Sequence, residues 1–234
     1  MALKKILLFA VPALLIIALF RYATVPVKTH ETDAPGFTPF KNDALAAVYA
    51  PVFRCPRAHG LPAAVLYRAS RDEKGNTHIA YHPVWEYETN PAPGLMPILS
   101  RMLYTGGLRI QRTMFGSGDV EVVGFVIDPK GAIVKIDYET AKDYDPKKFG
   151  VTHSDVSVTG RFLPPVTFRV VSWNHLFDLL TPGSGGPGPD EADIKPVPSY
   201  FSRQLWEEYG MFKQRETRLK KNRAHYLYER EHVE

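Results

Sequence analysis

A chain of 234 residues, 44% hydrophobic and 12% aromatic, can bury one sizeable core but not two full domains. Its formal charge of +4 is too small for a global basic field, so no nucleic-acid partner is expected. A lone cysteine, Cys55, excludes an intrachain disulfide and a cysteine-rich zinc site.

At the N-terminus, Lys4 and Lys5 precede the uncharged run Ile6–Phe20, which contains Pro12 and is followed by Arg21. The run is short for a spanning helix and suits a signal-peptide core. Residues 1–24 are therefore expected to be a signal anchor or a signal peptide, with membrane contact through residues 6–20. Lys4, Lys5 and the amino group outweigh Arg21 and Lys28, which places the N-terminus in the cytoplasm. The remainder is then membrane-anchored on the exported side, periplasmic or extracellular, and secreted if the segment is cleaved.

Residues 25–42 carry Pro and Gly without periodicity and are expected to be a spacer. Asp43 is the expected cap of a short helix that Pro51 limits. From there to about residue 180, short apolar stretches alternate with turn signals, which predicts a mainly β chain folded as an antiparallel β-sandwich over 43–180. Ala63–Tyr67 is the first strand, Asp72–Asn76 a turn, and His78–Tyr87 the second strand. In the second, Ile79, Tyr81, Trp85 and Tyr87 share a core face, and His82, Glu86 and Glu88 a polar one. Pro83 cannot donate to a ladder, so this strand is expected at an edge or broken by a bulge.

Asp119–Asp128 and Ala132–Tyr138 predict a hairpin, because Asp128-Pro129-Lys130-Gly131 has turn chemistry throughout. Thr167–Trp173 is a further strand, and Asn174–Leu180 a short helix or irregular closing segment. Residues 181–199, rich in Pro and Gly, read as a linker, and 200–234 as a charged amphipathic C-terminal helix. Leu205, Phe212, Leu219, Tyr226 and Val233 recur along that helix at heptad spacing. It packs on its own domain, meets a partner helix, or sets its basic cluster against anionic headgroups.

No nucleotide-binding loop, zinc-protease helix or nucleophile elbow occurs. What remains is a set of acidic and imidazole groups on the expected strands. Asp119 and Glu121 lie two apart, so on a strand both carboxylates project from one face, where they can share a hard cation such as Ca or Mg. His82 and Glu86 share the polar face of another strand, and His175 follows a third, so these three are possible ligand-binding residues. His153 is a further imidazole beside a strand.

The words Val48-Tyr49-Ala50-Pro51-Val52-Phe53, Tyr81–Asn90 and Gly118-Asp119-Val120-Glu121 occur in an order that resembles the superfamily of necrosis- and ethylene-inducing peptide-like proteins and their vacuolar-sorting-associated relatives. The resemblance spans about residues 43–180. It implies a β-sandwich in which a motif ending in His-Asp-Trp-Glu holds a divalent cation that binds glycosylated lipid headgroups. The motif's Asp falls on Asp119 and its Glu on Glu121, but its Trp falls on Val120 and its histidines on Gly116 and Gly118. The imidazoles that the motif supplies are therefore missing here.

The function expected from these features is that of a membrane-tethered envelope protein. Its sandwich binds a glycan, a lipid headgroup or a protein partner without catalysis. Two other functions are consistent with the same residues. One is a metal-dependent hydrolase, in which Asp119 and Glu121 hold the cation and His82 moves a proton. The other is an assembly subunit that oligomerises through the C-terminal helix.

Overall fold

A computed structural model of the chain describes residues 11–19, 36–86, 88–104, 118–148, 150–202, 204–205 and 209. Residues 11–19 form an exposed helix, α1. No helix among the described residues is long and apolar enough to cross a membrane. The rest of the apolar run, and nearly all of the expected C-terminal helix, lie outside the described residues.

The protein is mainly β, with antiparallel sheets and few helices. The larger sheet runs β1 (Phe37–Phe40), β3 (Ala64–Asp72), β4 (Thr77–Trp85), β6 (Val123–Ile127), β7 (Ile133–Lys142) and β8 (Thr152–Phe162). In addition, β5 (Asp119–Val120) pairs with β4, and β12 (Ser199–Tyr200) with β3. The smaller sheet runs β10 (Phe177–Leu179), β9 (Thr167–Val170), β2 (Val52–Pro56) and β11 (Glu191–Ile194). Two pairs depart from the antiparallel rule, β2 with β9 and β12 with β3, both parallel. Long crossovers between sequence-distant segments make them possible.

The two sheets share one core. Phe53, Phe168 and Phe177 from the small sheet meet Ile79, Tyr81, Phe125 and Ile136 from the large one. Their rings form a continuous set, with Phe125 stacked on Phe168 at 6.2 Å and Phe53 tilted against Phe177 at 5.6 Å. Aromatic pairs at such spacings add to the stabilisation that area burial already gives. Cys55 is fully buried in this core, and burial pushes its thiol up to about 12, which makes it an inert small hydrophobe.

Both hairpin turns are built by one device. Asp72 Oδ1 accepts from the amides of Lys74 and Asn76, and Asp128 Oδ1 from those of Lys130 and Ala132. Gly75 and Gly131 then supply the positive φ that closes each turn.

Several expectations change. The cap of α2 (Asp43–Tyr49) is Asn42, whose side chain accepts from Leu45 N–H, while Asp43 accepts from the Tyr67 hydroxyl at 2.6 Å. The end of the expected spacer is a strand, because β1 pairs with β3 from Phe37↔Asp72 to Phe40↔Ala69. The expected linker 181–199 contains β11, which pairs with β2, and the first residue of β12. Its glycines and prolines fall in the loops, while Glu191–Ile194 is held by partners far back in the chain.

Strand β4 lies inside the sheet, between β3 and the β5/β6 pair. Pro83 is tolerated there because the ladder breaks opposite it, in the gap between β5 and β6, where Glu121 N–H bonds the Pro83 carbonyl and no bond from Pro83 is needed. Helix α3 (Leu95–Tyr104) follows β4, and its Arg101 donates to the carbonyls of Asn90 and Ala92.

Candidate functional site

The site is built where β2, β4, β5 and the turn after β9 converge. Pairing of Trp85 with Asp119 puts both side chains on the inner face of the large sheet. Gly118 lets β5 approach, since a Cβ there would stand 2.5 Å from the Trp85 carbonyl oxygen and its φ is +67°.

After β9 the chain turns through Ser172–Leu176. His175 N–H bonds the Ser172 carbonyl, and Leu176 N–H bonds Ser172 Oγ at 3.2 Å. His175 takes a left-handed conformation, φ 58°, and its ring stacks on Trp85 at 4.2 Å, within 5° of parallel. Asp119 and His175 are each only 1% exposed. The His175 Nδ1 lies 2.6 Å from Asp119 Oδ2, and its Nε2 lies 2.9 Å from the carbonyl oxygen of His59.

A carbonyl only accepts, so Nε2 carries a proton and donates it. The Nδ1 and Asp119 then share a single proton between them. Both ring nitrogens are thus engaged, and the imidazole has no free face for a substrate.

What the pair does is hold a wall. The turn Arg57–His59 follows β2 and is fixed at both ends, by Arg57 N–H on the Asp190 carbonyl and Ala63 N–H on the Val84 carbonyl. His175 grips it in the middle through the His59 carbonyl. This wall bounds a cleft of about 390 Å³ lined by Arg57–Leu61, Ala63, Trp85, Glu86, Thr89 and Trp173. Among the described residues, neither the Trp85 nor the Trp173 indole N–H finds an acceptor, although both are buried. His59 is held neutral, its pKa lowered to about 4 by burial and by the neighbouring His175.

Of the residues singled out from sequence, Asp119, His175 and Glu86 come to this region, and the first two bond each other. His82 does not. It points to the opposite face of β4, fully buried beside Phe201 at a ring separation of 5.1 Å, with Leu66, Val84 and Val120 near it. The polar face expected for β4 is covered there, because the segment after β12 folds back and buries Phe201 through its N–H on the Tyr67 carbonyl. Burial and then the Arg68 charge lower the His82 pKa to about 3.

Asp119, Glu121 and His82 therefore do not surround one pocket, since the sheet itself separates His82 from Asp119. Asp119, expected as a metal ligand with Glu121, bonds His175 through Oδ2. Among the described residues no group of three or more His, Cys, Asp or Glu side chains is arranged to hold a metal ion.

His153 belongs to a separate outer network. Asn174 Nδ2 donates to its Nε2 at 3.0 Å, which leaves Nδ1–H to donate to Glu139 Oε2 at 2.7 Å.

The cleft residues Arg57, His59, Thr89 and Trp173 were not legible as site residues. Their one local signal is Gly60, which ends the turn with φ 76°. No family model matches the chain, and neither a curated protein nor a solved structure does.

Proposed function

We propose that the protein is a membrane-tethered β-sandwich on the exported side of the envelope, which binds a glycan in the cleft beside Trp85 and Trp173 without catalysis. The observation that carries this reading is a cleft of about 390 Å³ walled by the rings of Trp85 and Trp173 and edged by Arg57, His59 and Glu86. Aromatic rings beside a few polar side chains suit a ligand with one apolar face and polar edges, which a sugar ring has.

Sugar hydroxyls both donate and accept. One functional group therefore suits the Glu86 carboxylate, the Arg57 guanidinium and the neutral His59 imidazole. The cleft volume falls within the range of small-ligand sites. The absence of catalysis is supported by the buried Asp119–His175 pair, whose imidazole has both nitrogens engaged.

The test is a glycan array probed with the full chain in lipid nanodiscs, with Trp173→Ala as the control. Binding to a defined glycan class that falls about tenfold in the variant supports the reading, because one lost aromatic contact is worth about that factor. No binding to any glycan, or equal binding by both proteins, sinks it.

A further inference from the structure

A second cavity lies at the other end of β9. The polar cleft is beyond its Val170 end, whereas this cavity of about 810 Å³ opens around Thr167, between the end of β8 and the loop that follows β10. Its volume is in the range of ligand sites, and its chemistry is the reverse of the first. Phe162, Val166, Leu179 and Leu180 supply apolar walls. At the mouth Leu163 is 82% exposed, an apolar lip that water covers in the free protein. On the far side Gly183 and Gly185 adopt positive φ, and a Cβ on either would meet nothing within 4 Å. Their missing side chains therefore leave open space and serve no packing need.

The charge of the lining is one-sided. It contains Arg54 and Arg161 and no acidic residue. Arg54 is spent, because Nε and Nη2 bind both oxygens of Asp193 at 2.7 and 3.0 Å and Nη1 donates to the Gly185 carbonyl. That same bond ties the loop down over the sheet. Arg161 makes no ion pair among the described residues and stands at the rim. One uncommitted guanidinium beside an apolar chamber matches a single anionic group on a long hydrocarbon, and its planar fork suits a carboxylate.

We infer that this cavity binds a long-chain carboxylate, a free fatty acid, with its chain against Phe162, Leu179 and Leu180 and its head at Arg161. The site is independent of the glycan cleft and of the Asp119–His175 pair.

The experiment uses the full chain in phosphatidylcholine nanodiscs, photolabelled with a diazirine-bearing palmitate or the matching diazirine alcohol, followed by peptide mapping. Palmitate label should concentrate on peptides within residues 161–185 and exceed alcohol label there by about tenfold, the worth of one charge-assisted hydrogen bond. Arg161→Glu, an exposed position, should reduce palmitate labelling to the alcohol level with an unchanged melting temperature. Leu180→Trp, which fills the chamber, should abolish labelling by both probes. Label confined to residues 6–20, equal labelling by acid and alcohol, or indifference to Arg161→Glu would overturn the inference. Should Leu180→Trp fail to fold, the Arg161→Glu comparison alone decides.

Discussion

The two faces of β4 treat a buried imidazole in opposite ways. On the inner face His175 sits against a carboxylate at 2.6 Å and a carbonyl at 2.9 Å, beneath the Trp85 ring. On the outer face His82 is packed edge-on to Phe201 and feels the positive charge of Arg68. Burial is nearly the same, 1% and 0% exposed. The difference lies in the surroundings: His175 bonds an acid and a carbonyl, whereas burial and the Arg68 charge keep His82 neutral.

The strongest way to break the comparison is His175→Ala. It removes the buried bond from His175 to Asp119 and releases the Arg57–His59 wall, so a loss of about 3–5 kcal/mol in denaturant unfolding is expected. His82 should instead reveal itself through acid. Its folded pKa is lowered to about 3, so the unfolded chain binds the proton first. Stability from a neutral His82 is full above about pH 6.5 and falls by about 1.4 kcal/mol per pH unit as the pH drops towards 3. His82→Gln should flatten that slope in urea melts taken between pH 6 and 4. An unchanged slope would show that the outer face does not hold the ring neutral.

The smallest effect is at the first hairpin turn. Burial opposes the charge on Asp72, yet hydrogen bonds from His78 and Asn76 hold its pKa down to about 2. The stability it contributes is present above about pH 4 and is lost as pH falls through about 2. Asp72→Asn should cost about 1 kcal/mol at neutral pH, measured by the same melts.

These contrasts show what the sequence made legible. The hairpins were readable because Asp72 and Asp128 act on amides two and four positions away, within any local window. Asp119 and His175 each stood out as chemistry-bearing groups, but they meet across 56 positions, and His59 joins His175 across 116. Nothing in either local word encodes such a meeting. His82 looked exposed because it alternates with core residues, and only the returning Phe201 buries it. Composition misread the segment 181–199, since a four-residue strand is hidden by the glycines around it and defined by its partner β2. The apolar cavity was invisible for the same reason, its walls coming from β8, β9 and the loop after β10.

Strand β2 has a further consequence, for the order of assembly. It is made early, yet its two neighbours are β9 and β11, and its Arg54 pairs with Asp193 across 139 positions. During synthesis the small sheet cannot close until Ile194 has emerged, and non-local pairing of this kind is slow. A chain that must be threaded across a bilayer benefits from that delay: it stays open while it is moved and becomes rigid after arrival, which suits the exported placement proposed above.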